Sequence, residues 1–159
     1  MIDVILALKF VHVLFAAVMF GAWLAAACFM VFARRSGNAS VVALVSLFVV
    51  RIELFVVAPA MVLQPVTGVP LETVIGLSNI DNFWIDSSIL VYAIVVLAWL
   101  GALRAEFVIR RMARQASLGG TKLGKNYSRV FRIWSGFAAL IFAGLVLLYL
   151  LMVWQPRLN

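Results

Sequence analysis

Four long apolar runs, separated by three more polar stretches, set the pattern of this chain. The runs cover about Val4–Phe32, Val41–Leu63, Ile85–Leu103 and Ile133–Trp154. A helix needs about 20 apolar residues to cross bilayer hydrocarbon, so each run predicts one transmembrane helix. Turn-forming residues fill the breaks: Ser36-Gly37-Asn38, the stretch from Pro65 to Pro70, and Gly119-Gly120. Trp84, Tyr127, Trp134 and Trp154 stand at run edges, where aromatic side chains meet lipid headgroups. The expected fold is all-α: a single domain over residues 1–159, built as an up-and-down bundle of four transmembrane helices. The first run is too long for a signal peptide and follows no basic segment, so it is expected to be retained.

Composition agrees with this pattern. Of 159 residues, 66% are hydrophobic and 12% charged, with a mean hydropathy of +1.14. A soluble domain is about half apolar and about a quarter charged, and one of this size could not hide so much apolar surface. The formal charge of +7 would point to nucleic acid in a soluble protein. Here the basic residues gather between the runs, which points to membrane topology and not to nucleic acid. The first break carries Arg34 and Arg35. The third, Arg104 to Arg132, carries Arg104, Arg110, Arg111, Arg114, Lys122, Lys125, Arg129 and Arg132. The second, Gln64 to Trp84, has no lysine or arginine and holds Glu72 and Asp81. By the positive-inside rule the first and third connections face the cytoplasm and both termini face outward. The basic third connection is also expected to touch anionic lipid. The single cysteine, Cys28, leaves no basis for a disulfide or a zinc or iron–sulfur cluster.

Ionisable groups far from span ends carry the functional expectations. There are three: His12, the only histidine, with Arg51 and Glu53. At 1.5 Å rise per residue His12 lies roughly 12 Å below the outer end of its span, and Glu53 roughly 18 Å above the other side. These depths are compatible, so His12 and Glu53 are expected to be able to meet. At about 100° per residue His12, Ala16, Met19 and Trp23 share one face. Ala17, Gly21 and Ala25 form a small-residue row on the opposite side, suited to close packing against a second copy or another subunit. Ser46, Glu53 and Gln64 share a stripe on the second span, with Arg51 about 160° away. Asp86-Ser87-Ser88 suits a helix N-terminus, and Ser88, Tyr92 and Trp99 share a face read as packing. The methionines Met19, Met61 and Met152 read first as pliable core filling.

Three stretches together carry a resemblance: LKFVHVLFAAVMFGAW (Leu8–Trp23), RIELFVVAPAMVLQPVTG (Arg51–Gly68) and the run from Phe131 to Pro156. Their order and spacing resemble a family of bacterial predicted integral membrane proteins known as a domain of unknown function. Pro59, Gln64, Pro65, Thr67 and Gly68 form the most specific part of the likeness. It implies a multi-pass protein of the bacterial inner membrane. More weakly, the first stretch resembles the opening helix of four-helix haem-binding membrane proteins. These are the oxygen-independent protoporphyrinogen IX oxidases and the membrane domain of copper-resistance D proteins. That likeness implies haem b, with His12 as axial ligand to the metal. Spans two to four hold no lysine, unlike those oxidases, and a single histidine cannot ligate haem from both sides within one chain.

Three functional readings follow. In the haem reading His12 binds iron, Glu53 holds its other ring nitrogen, and Met19, Met61, Met152 or a second copy's His12 supplies the sixth position, for electron transfer or porphyrin oxidation. In the structural reading His12 and Glu53 form a buried polar pair in a non-catalytic or assembly subunit, joined to itself or to a larger complex through Ala17, Gly21 and Ala25. In the third, His12, Glu53 and Arg51 mark a proton or small-solute pathway. No nucleophile–base arrangement or phosphate loop is present to support hydrolysis.

Overall fold

The computed structural model describes residues 2–75 and 83–154. Helix α1 spans Ile2–Arg35. It stops at Gly37, whose φ of 63° is left-handed and suits glycine. Asn38 then caps the next helix, its side-chain oxygen accepting from the Ser40 and Val41 amides at 2.9 and 3.4 Å. That second rod is α2 (Ala39–Ile52), a π-helical turn (Glu53–Val57) and α3 (Ala58–Ile75) in unbroken succession. Helix α4 covers Phe83–Leu118 and α5 covers Lys125–Trp154. Among the described residues, the four rods are long and apolar enough to cross a membrane.

The prolines explain why the second rod departs from the expected end at Leu63. Pro59 has no amide hydrogen, and its ring crowds the carbonyl four residues earlier. The turn before it widens: the Ala58 amide bonds to the Glu53 carbonyl, five residues back, in π geometry. Pro65 and Pro70 lie inside α3 and do not break it. Pro65 leaves the Met61 carbonyl without its helical donor, and the Tyr92 hydroxyl from α4 donates to that carbonyl instead. Prolines persist in transmembrane helices where a neighbouring helix satisfies the freed group. The predicted turn from Pro65 to Pro70 is therefore helix. Asp81, expected in the same connection, lies outside the described residues.

The expected basic connection from Arg104 to Arg132 is also mostly helix. At 1.5 Å per residue α4 is about 54 Å long, well beyond a hydrocarbon layer of about 30 Å. Most of the arginines thus ride on helix extensions around a short link at Gly119–Gly124. Tyr127 and Trp134, expected at a headgroup boundary, are 4% and 3% exposed inside the bundle.

Contacts fix an antiparallel order. Helix α4 packs most extensively on α5 and on α2, while α1 packs on α2, the π turn and α3. Helix α1 meets α5 sparingly, chiefly through Phe20 and Trp23 against Phe142 and Tyr149. The core runs through Met30, Val42, Val49, Ile109, Ile141 and Leu145. Two glycines bring α4 and α5 close: Gly101 faces the Phe137 ring and Gly144 faces Val95, leaving no room for a Cβ at either. One end of the bundle carries Arg34, Arg35 and the basic residues between Arg110 and Arg129, and is called the basic end below. The other, where α1 begins and α5 ends, is called the terminal end.

Candidate functional site

Two polar clusters lie inside the bundle. Toward the terminal end, His12 of α1 is 8% exposed and faces Gln64, Thr67 and Gly68 of α3. Its Nδ1 lies 2.8 Å from Thr67 Oγ1. The Thr67 hydroxyl has one hydrogen and donates it to the carbonyls of Leu63 or Gln64, at 2.7 and 3.2 Å. With the hydroxyl hydrogen directed there, its oxygen accepts from His12 in the tautomer that carries the hydrogen on Nδ1. The Gln64 side chain donates to the His12 backbone carbonyl at 3.2 Å, fastening the two helices at this level. Gly68 makes the approach tight enough that a Cβ there would sit 3.1 Å from His12 Cε1.

Toward the basic end, Glu53 and Glu106 are 2% and 3% exposed. The Trp99 indole of α4 donates to Glu53 Oε2 at 2.6 Å, and the Trp134 indole of α5 donates to Glu106 Oε1 at 2.9 Å. An indole N–H can only donate, so each tryptophan is a fixed cap on one carboxyl oxygen. Glu106 Oε2 is buried without any partner among the described residues, and so is the Tyr127 hydroxyl. An unsatisfied polar atom buried in a protein interior costs roughly 1–3 kcal/mol, and such atoms are rare enough to call for an explanation.

An apolar layer divides the clusters. Met19, Trp23, Met61, Trp99 and Leu145 surround a void of about 10 Å³, room for one water at most and without polar groups to hold it. Along the second rod Glu53 and Gln64 are about 16 Å apart by helical rise.

The expected His12–Glu53 pair does not form. Extension of the second rod to Ile75 puts residues 64–68, and not Glu53, opposite His12. Thr67 accepts from the imidazole and Trp99 donates to the glutamate. Arg51 lies exposed on the bundle surface while Glu53 points inward, so it joins neither cluster. Ser46, Glu53 and Gln64 all lie inside, as their stripe suggested. Ala17, Gly21 and Ala25 are exposed on the outer face of α1, and Gly21 has nothing within 4 Å of where a Cβ would stand.

Glu106 is the site residue that sequence reading did not reach. It sits among arginines, beyond the apolar window, and so read as part of a connection. The signal was the continuing 3.6-residue spacing of Val95, Trp99, Ala102, Glu106, Ile109 and Ala113, all of them buried.

For haem b, the donor atom and the space disagree. In the tautomer with hydrogen on Nδ1, toward Thr67, His12 would leave Nε2 as the donor atom, the orientation a metal-ligating imidazole takes. Met19 and Met61, however, line a void far too small for a porphyrin, and Met152 is 39% exposed. The packed interior does not fit the group. Among the described residues no three His, Cys, Asp or Glu side chains converge on a metal position.

Residues 6–156 match the model of the family described as "Predicted integral membrane protein (DUF2269)". No curated protein and no solved structure gives a match.

Proposed function

The chain belongs to this family of predicted integral membrane proteins, and from that premise we propose that it is a gated proton pathway. Glu53 and Glu106 are the exchanging groups on one side of the apolar layer, and the His12–Thr67–Gln64 cluster is the relay on the other. The observation that carries the reading is the free, buried Oε2 of Glu106, in a bundle that also buries the carboxyl of Glu53. Intramembrane ionisable groups facing a bundle interior mark such routes. Each carboxyl keeps one oxygen under an indole cap while the other stays available to a proton. The layer of Met19, Met61 and Leu145 acts as the gate, since an apolar constriction excludes water until it widens. The proton enters and leaves unchanged, so no co-reactant is needed. By the positive-inside rule the carboxyl side faces the cytoplasm of the inner membrane.

The test is proton flux into vesicles loaded with a pH-sensitive dye, driven by an imposed potassium diffusion potential. The expected result is measurable flux with the wild type, a rise with Met61→Ser, and a fall of at least about tenfold with Glu106→Gln. Protein-free rates from both wild type and Met61→Ser would overturn the proposal.

A second reading, haem b on His12, requires the contact between α1 and α3 to open, since the imidazole is 8% exposed there. A Soret band in the gently purified protein, lost in His12→Ala, is its expected outcome. A colourless preparation from haem-replete cells sinks it.

A further inference from the structure

On the outer face of α4, a groove of about 300 Å³ is lined by Leu100, Leu103, Arg104, Phe107, Val108 and Arg111. These residues follow helical spacing along one side of α4, away from the buried face that holds Trp99, Glu106 and Ile109. The level of the groove follows from helical rise. Arg104 lies about 32 Å along α4 from Phe83, one hydrocarbon thickness. The two arginines therefore meet the headgroup zone, and Leu100 and Leu103 the acyl chains.

Among the described residues no carboxylate pairs with these charges. Asp3, Glu72 and Asp86 belong to the helix ends away from the groove, and Asp81 lies outside the described residues. Glu53 and Glu106, the remaining acidic residues, are buried and capped by tryptophans. Among the described residues no acidic side chain is placed to serve as counterion for Arg104 and Arg111.

We infer that this groove is a binding site for an anionic phospholipid, with Arg104 and Arg111 bracketing its phosphate and an acyl chain lying on Leu100 and Leu103. Arginine suits the role because its planar fork matches phosphate oxygens. Apolar and charged lining in one groove matches the two halves of a lipid, which free phosphate does not. The inference stands apart from the proton pathway, because none of these side chains enters either cluster.

Native mass spectrometry of the full chain, released from detergent after exposure to phosphatidylglycerol or phosphatidylcholine, tests it. The expected result is retained phosphatidylglycerol and little retained phosphatidylcholine. The variant Arg104→Gln/Arg111→Gln should bind phosphatidylglycerol roughly thirtyfold more weakly. Arg129→Gln/Arg132→Gln removes the same charge from α5 and should stay within about twofold of wild type. Equal losses in the two double variants would reduce the effect to diffuse surface charge and overturn the site. Displacement of the lipid by millimolar inorganic phosphate would identify a free-anion site instead. Equal retention of phosphatidylcholine would leave only an apolar groove. Either result would also overturn it.

Discussion

At the residue scale, close contact and open space give opposite expectations for two glycines. Gly68 holds its neighbour His12 so tightly that a methyl group would push the imidazole aside by a few tenths of an ångström. Gly21 has open space on the outer face of α1. Alanine adds up to about 1 kcal/mol of helix preference over glycine. At Gly68 strain of about 1–3 kcal/mol offsets that gain. Gly21→Ala is therefore expected to hold or raise stability, and Gly68→Ala to fall about 1–2 kcal/mol below it. Unfolding in mixed micelles measures the difference; equal stabilities would show that the His12 ring yields freely. Residues 12 and 53 were legible as polar interruptions of apolar runs, and helical phase set Arg51 on a different face of its rod from Glu53. Their partners were not, because the partner of a buried group depends on register between rods. Periodicity within one rod carries no record of that.

At the element scale, the second rod shows how a helix survives three prolines. Sequence alone makes Pro65 and Pro70 stop signals, since the cost is local and the remedy lies on another helix. The Met61 carbonyl and Tyr92 form the clearest case. Tyr92→Phe should leave the carbonyl bare and cost about 0.6–1.5 kcal/mol. Pro65→Ala restores the amide donor, so most of that cost should disappear when the two changes are combined. A double-mutant cycle by micellar unfolding decides it. Additive costs would mean that the hydroxyl does not replace the missing amide. Helices α4 and α5 outran their expected ends for a related reason. Hydropathy marks where lipid stops, whereas helix geometry continues as long as one face finds a partner.

At the scale of the whole molecule, the count of spans and the up-and-down order were legible because a bilayer admits few alternatives. The site was legible in part. Its histidine and one glutamate stood out as polar interruptions of apolar runs, while Glu106 was masked by the arginines around it. The bundle is also unevenly closed. Helix α1 is held by the second rod and only lightly by α5, and its span is the least buried of the four. The row at Ala17, Gly21 and Ala25 lies on this helix's outer face. Both interior clusters depend on the second rod, which supplies Glu53 to one and Gln64 and Thr67 to the other.

The wide turn at Glu53–Val57 makes the distance between those two contributions a matter of counting. A π turn absorbs one more residue than an α turn would over the same rise. The helix beyond it is therefore rotated by about 100° relative to a rod without that residue. A chain shortened by a single position there would close to ordinary α-helix. Gln64 and Thr67 would swing off the face that meets His12 while Glu53 stayed beneath Trp99. Spelling changes in this segment are thus local, but a one-residue change in its length would uncouple one half of the molecule from the other.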